Sequence, residues 1–185
     1  MTSKQFKAQN LLVCLILGLA GIGGAAILYP SYQAVQPMLE TRFIASTAMN
    51  PNFEAKDRVL IDKTAYKNTL QKRGDIIMFN PTKILRKQNY KHPFIFRVVG
   101  LPKETIEIKN DQVFINSQPI KENYISELPK YEMKPISVSE GEYFVLGDNR
   151  NNSYDSHYWG PVDQDLILGK VVRIYFPPSR AKELN

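Results

Sequence analysis

Hydrophobic and polar positions divide the chain into two unlike parts. From Leu11 to Tyr29 no charged or strongly polar side chain occurs, a run of nineteen positions. At helical rise such a run spans roughly 28 Å, the thickness of a bilayer's hydrocarbon core. It predicts one N-terminal transmembrane helix over residues 11–29. Lys4 and Lys7 precede the run and no acid does, so residues 1–10 are expected in the cytoplasm and the rest of the chain outside. A cleaved signal peptide and a buried helix of a soluble core are the rival readings of the same run. Its glycines, Gly18, Gly21, Gly23 and Gly24, are permissive in a membrane helix and also allow close approach of another helix.

Residues 30–42 read as a connector. Beyond it, helical periodicity gives way to short strand-type runs bounded by turn residues. Arg58–Ile61, Asp75–Phe79, Phe94–Val99, Thr105–Ile108, Gln112–Ile115, Tyr143–Leu146 and Leu168–Phe176 are the expected strands. Asn110-Asp111 between two of them predicts a hairpin. Asn116–Pro135, with three prolines and few apolar clusters, reads as a surface excursion. The expected architecture is an all-β domain of short strands over residues 43–185 behind a single membrane helix.

Composition narrows the chemistry. Apolar residues make up 43% and charged residues 23%, which excludes wholesale disorder, collagen and a coiled-coil rod. One cysteine, Cys14, excludes an intramolecular disulfide framework, and two histidines, His92 and His157, leave little for a zinc centre. The net charge of +6 comes from scattered basic residues. That suits a solvated surface with mild membrane affinity and carries no nucleic-acid signature.

Three segments go beyond pattern: Ile44-Ala45-Ser46-Thr47-Ala48-Met49-Asn50-Pro51; Gly74–Phe79 with Arg97-Val98-Val99-Gly100-Leu101-Pro102; and Gly147-Asp148-Asn149-Arg150-Asn151-Asn152-Ser153-Tyr154-Asp155-Ser156-His157-Tyr158-Trp159-Gly160. In kind, order and spacing they resemble the type I signal peptidase family in its bacterial and cyanobacterial form. The third segment is the most specific. The resemblance implies a membrane-bound serine endopeptidase that removes signal peptides from secreted pre-proteins outside the membrane. Its chemistry is a Ser-Lys dyad. The serine hydroxyl becomes a nucleophile only when a base takes its proton. A lysine serves as that base only where apolar burial disfavours its ammonium form.

The departures from the family pattern fall on that dyad. The nucleophile position is Ala48 and the base position is Phe96; a methyl group cannot attack and a phenyl ring cannot accept a proton. Ala45 replaces a motif proline. Other positions are kept. By resemblance Ser46 is the oxyanion-hole serine, Ser153 orients the missing lysine, Arg97 and Asp148 are a structural ion pair, and Asp155 stiffens the third motif, with His157 where an arginine is frequent. In a strand Ser46 and Ala48 would share a face. Arg150, with Asp148 and Asp155, reads as a brace of a turn-rich loop, His157 as a loop hydrogen-bonder, and Trp159, Phe96 and Ala48 as core.

The expected function is therefore that of a signal peptidase family member without peptidase activity, binding signal peptides, secreted pre-proteins or a membrane partner. The alternative is an active enzyme using a substitute nucleophile such as Ser46, with Thr47 the next hydroxyl and Lys63 or Lys103 as base. The resemblance implies no metal and no organic cofactor. It places the chain in the plasma membrane, single-pass, with a thylakoid membrane as the other possibility, and its non-protein partner is the lipid bilayer.

Overall fold

The computed structural model describes residues 38–184. The expected membrane helix at 11–29 and the N-terminal segment before it lie outside these residues. Among the described residues no helix is long and apolar enough to cross a membrane.

The domain is mainly β. Its strands are β1 (Leu39–Phe43), β2 (Arg58–Asp62), β3 (Ile76–Phe79), β4 (Phe94–Gly100), β5 (Thr105–Lys109), β6 (Gln112–Ile115), β7 (Gln118–Pro119), β8 (Met133–Ser137), β9 (Glu142–Leu146), β10 (Val162–Asp163), β11 (Ile167–Phe176) and β12 (Lys182–Glu183). Two short helices, α1 (Lys83–Lys87) and α2 (Ser156–Trp159), interrupt them. One sheet runs β1-β2-β11-β3-β4-β9-β10, with β12 beside β11; the other runs β7-β6-β5-β8. Every pairing is antiparallel.

Burial explains which strands alternate and which do not. In β2, β5 and β6 buried and less buried residues alternate, so one face meets a core and the other faces water. β4 and β9 instead have both faces covered. Phe96, Val98, Tyr143 and Val145 enter a core with Phe53, Ile61, Phe79 and Trp159. Val99, Phe144 and Leu146 enter a second core with Ile106, Ile108 and Val113. Two-sided burial is why Tyr143–Leu146 reads as an unbroken apolar run and why Phe94–Val99 is apolar at every position but Arg97.

Three sequence expectations need correction. β1 begins at Leu39, inside the presumed connector 30–42; its side chains are mostly exposed, so burial left no alternating signature. Asn116–Pro135 is mostly at the surface as expected but is not without strands: the exposed β7 and the start of β8, whose Met133 is buried, lie within it. The turn-rich stretch after Asn80 also holds α1, fixed by Thr82, whose hydroxyl accepts from Leu85 N at 3.4 Å, and by the fully buried Leu85.

The end of the chain is tied back to the turn before β2. Asp57, 1% exposed, accepts Glu54 N at 2.8 Å and Arg180 Nε at 2.9 Å. Burial pushes its carboxyl pKa up, but those bonds and the guanidinium charge outweigh it, and the net shift is downward. The folded pKa thus lies below the unfolded value near 3.9, so the pair's stabilisation is present above about pH 4 and is lost as pH falls further. Acid titration of unfolding followed by circular dichroism should show a shallower loss of stability below about pH 4 for Asp57→Asn than for the natural chain. At Gly169 an added Cβ would lie 2.6 Å from Asp62 O and 2.8 Å from Ile61 Cγ2. Gly169→Ala should therefore lower stability by about 1–3 kcal/mol in urea unfolding.

Candidate functional site

The first and third motifs meet at a pair of turns. Residues 46–53 form bends and turns rather than a strand, which corrects the expectation that Ser46 and Ala48 share a strand face. The turn is held from inside, by Asn50 N to Thr47 O at 3.0 Å and Phe53 N to Met49 O at 3.0 Å, with Met49 and Phe53 buried. It is also held by the third motif. Asn149 N donates to Ala48 O at 3.0 Å, Asn149 Nδ2 to Thr47 O at 3.1 Å, and Asn152 Nδ2 to Thr47 Oγ1 at 3.1 Å.

Gly147 is the contact point. A Cβ there would collide with Ser153 Oγ and lie 2.5 Å from Ala48 O. Only a residue without a side chain lets Ser153 and the Ala48 carbonyl close on the same spot. Ser153 Oγ is buried there without a hydrogen-bond partner. The folding thus brings Ala48, Gly147 and Ser153 together. Ser46 is exposed on the bend, and its hydroxyl has no hydrogen-bond partner among the described residues.

Phe96 is 4% exposed and paired in register with Ile77. Its ring lies 6.0 Å from Phe94 and 6.3 Å from Phe79, and Phe79 is 6.0 Å from Trp159. Ala48 packs against this same apolar cluster. The surroundings of Phe96 are thus hydrocarbon and aromatic faces.

Alternation along β4 turns Arg97 to the other side. It holds Asp148 through two bonds, Nε to Oδ1 at 2.7 Å and an Nη to Oδ2 at 2.6 Å, and its other Nη donates to Gly74 O at 2.9 Å. Asn52 Nδ2 donates to Asp148 Oδ2 at 2.8 Å and to Tyr124 O at 2.6 Å, and the Arg97 guanidinium lies 4.1 Å from the Tyr124 ring centroid. Arg150, fully buried, donates to Gly147 O at 3.0 Å and pairs with both Glu122 oxygens at 2.5 and 2.6 Å. Tyr124 hydroxyl donates to Glu122. Burial pulls the Arg150 pKa down, but the Glu122 carboxylate raises it by more, so the guanidinium stays charged. Burial first, and then the Glu122 charge, push the Tyr124 phenol up, so it remains a donor.

Asp155 fixes the end of the motif. Its carboxylate accepts Gly147 N at 2.8 Å and caps α2 through His157 N at 3.2 Å, and His157 Nδ1 lies 2.7 Å from Oδ1. His157 stacks on Tyr131, with ring centroids 4.3 Å apart. The substitute bases lie in wetter places. Lys63 pairs with Glu40 at 3.5 Å and Lys103 with Glu140 at 3.0 Å, their side chains 41% and 70% exposed.

Sequence reasoning missed Glu122, Tyr124, Asn52 and the roles of Asn149 and Asn152. One signal was available for Glu122. A second motif arginine, Arg150, would need a carboxylate if buried, and Asp148 and Asp155 were already assigned elsewhere.

Comparison with known proteins gives a consistent result. The family profile described as Signal peptidase, peptidase S26, matches residues 19–176. Signal peptidase I of Leptolyngbya laminosa is 45% identical over 148 residues, covering 79% of this chain and 73% of that protein. Probable signal peptidase I-2 of Synechocystis sp. is 42% identical over 141 residues, covering 76% and 65%. Thylakoidal processing peptidase 1 of Arabidopsis thaliana is 36% identical over 151 residues, covering 79% and 44%.

The Arg150–Glu122 pair yields a stability prediction. Glu122→Gln leaves a buried guanidinium without its counter-charge and should lower stability by about 3–5 kcal/mol. Arg150→Met combined with Glu122→Leu should lose less than the two single changes together, because neither charge is then stranded. Urea unfolding of the natural chain, Glu122→Gln, the two single changes Arg150→Met and Glu122→Leu, and their combination checks this.

Proposed function

Because the chain belongs to the signal peptidase family, peptidase S26, we propose that it is a membrane-anchored, catalytically silent member of it that binds secretory pre-proteins. The observation that carries the reading is the pair Ala48 and Phe96. Ala48 sits on the turn clamped by the third motif, next to Gly147 and the unpartnered Ser153 hydroxyl. Phe96 is set in the aromatic cluster of β3 and β4. Peptide hydrolysis by a serine needs a nucleophile, a base within about 2.6–3.2 Å of it, and donors for the oxyanion. The first two functions have no side chain at these positions.

The substitutions agree with a retained fold. A lysine at position 96 would bring an ammonium group among Phe79, Phe94 and Trp159. Phenylalanine removes that desolvation penalty and adds apolar burial. Ala48 leaves the turn's backbone bonds unchanged. Binding of an extended peptide by strand addition uses main-chain groups and side-chain pockets, so it survives the loss of the dyad. Ligands of this kind are signal peptides of pre-proteins. The membrane is the plasma membrane or a thylakoid membrane, with the anchor at residues 11–29, the N-terminus in the cytoplasm and the β domain outside.

The competing reading, cleavage by Ser46, has that hydroxyl's exposure in its favour. Lys63 and Lys103 offer it no desolvated base, since both are solvent-exposed and paired with glutamates.

A cleavage assay with the full-length chain in detergent and a pre-protein bearing an Ala-x-Ala site separates the two. The natural chain should release no mature product yet crosslink to a photoreactive signal peptide. Ala48→Ser combined with Phe96→Lys should cleave. Cleavage by the natural chain that disappears on Ser46→Ala would overturn the reading. Phe96→Lys alone should lower stability by several kcal/mol, read from thermal unfolding, because it buries an unpaired ammonium group.

A further inference from the structure

Between β3 and β4 the chain leaves the sheet and returns through α1, and its charge there is one-sided. From Ile76 to Lys103 no acidic residue occurs, while Lys83, Arg86, Lys87 and Lys91 fall within nine positions. All four are exposed. None of them pairs with a carboxylate among the described residues. Arg86 instead donates to Pro81 O at 2.7 Å. Two large apolar side chains stand out of the same segment, Ile84 at 48% and Tyr90 at 43% exposure. A cavity of about 420 Å³, lined by residues 89–94, opens beside Tyr90.

The segment is anchored rather than loose. Leu85 is fully buried beneath it. The Tyr90 ring is 5.5 Å from Phe94 and 6.1 Å from Tyr154, and the Tyr154 hydroxyl donates to Gln88 Oε1 at 2.9 Å. Cations, an aliphatic side chain and an amphipathic phenol are therefore displayed on one rigid lip, and that lip is bonded directly to the third motif.

From this juxtaposition we infer that the α1 lip is a docking surface for anionic phospholipid headgroups. The cations match phosphate and other anionic headgroup charge, and the effect weakens beyond about 8 Å at physiological salt, so it acts only at the membrane surface. Ile84 and Tyr90 suit the interfacial layer, where an apolar body and a polar tip are both accommodated. An acidic polypeptide would satisfy the cations but gives no reason for the exposed Ile84. The inference rests on the reading of residues 11–29 as a bilayer anchor, which holds the domain near such a surface. Docking here would set the height of the third motif above the bilayer through Tyr154 and Gln88.

The test uses the full-length chain carrying Ile84→Trp. Trp159, the chain's single tryptophan, is 3% exposed and supplies the background. The chain is reconstituted into phosphatidylcholine vesicles with acyl-brominated lipid, with or without phosphatidylglycerol. The expected result is quenching of the reporter in the anionic vesicles only, reduced several-fold by high salt and by Lys83→Gln, Lys87→Gln and Lys91→Gln together. That variant keeps the Arg86–Pro81 bond, and its thermal unfolding checks the fold. Quenching no greater than the Trp159 background, or equal in both vesicle types, overturns the inference. So does a reporter that responds to polyglutamate and not to the anionic vesicles. Resistance of the natural chain to carbonate extraction tests the anchor separately, so a failed anchor and a failed lip give different results.

Discussion

The bond on which the site most depends is the two-pronged contact of Arg97 with Asp148. The arginine stands in the middle of β4, where the backbone is fully paired and both faces are covered. A guanidinium there is tolerable only if its donors are met, and Asp148 and Gly74 O meet them. Asp148 is itself fully buried, so the third motif cannot leave the sheet without stranding both charges. Asn52 brings the first motif to the same carboxylate, and Tyr124 covers the guanidinium from the excursion after β7. Segments far apart in sequence are fixed to one point, and the turn that carries Ala48 is positioned as a result.

Much of this was legible in the sequence, for physical reasons that can be named. β2, β5 and β6 announce themselves by alternation, β9 by a continuous apolar run and β4 by an apolar run broken only at Arg97, because burial imposes each pattern. The same rule hid β1, whose exposed side chains carry no signal of burial. It also hid α1, a five-residue helix held by one cap and one buried leucine, too short for a period to show. In the site, the motif residues Ala48, Ser153, Arg97 and Asp148 could be picked out, but not the geometry between them. The clamp by Asn149 and Asn152 depends on which backbone carbonyls the turn presents. Glu122 and Tyr124 lie in a stretch whose composition is that of a surface loop, and only the fold reveals that its middle turns inward to meet Arg150.

The framework around position 48 is built from groups that hold the backbone in place. The ion pairs, the helix cap and the close approach at Gly147 orient backbone and do not take part in bond breaking. They are therefore indifferent to whether position 48 bears a hydroxyl. The Ser153 hydroxyl and, on the turn that carries Ala48, Asn50 Oδ1 are buried without a partner; the hydroxyl lies beside a carbonyl that already accepts from Asn149.

The shared wall formed by β4 and β9 has a consequence for how the molecule comes apart. One face of this strand pair closes the core with Phe53 and Trp159, and the other closes the core with Ile106 and Val113. Neither core can open on that side without exposing part of the other, so the two sheets are coupled into one cooperative unit rather than two independent ones. Amide protons along Val98–Val99 and Phe144–Val145 then become accessible only in global opening, and the exchange rates of the two regions rise together under denaturant. A chain built this way has little room for partly open forms that would expose apolar strands to neighbouring molecules.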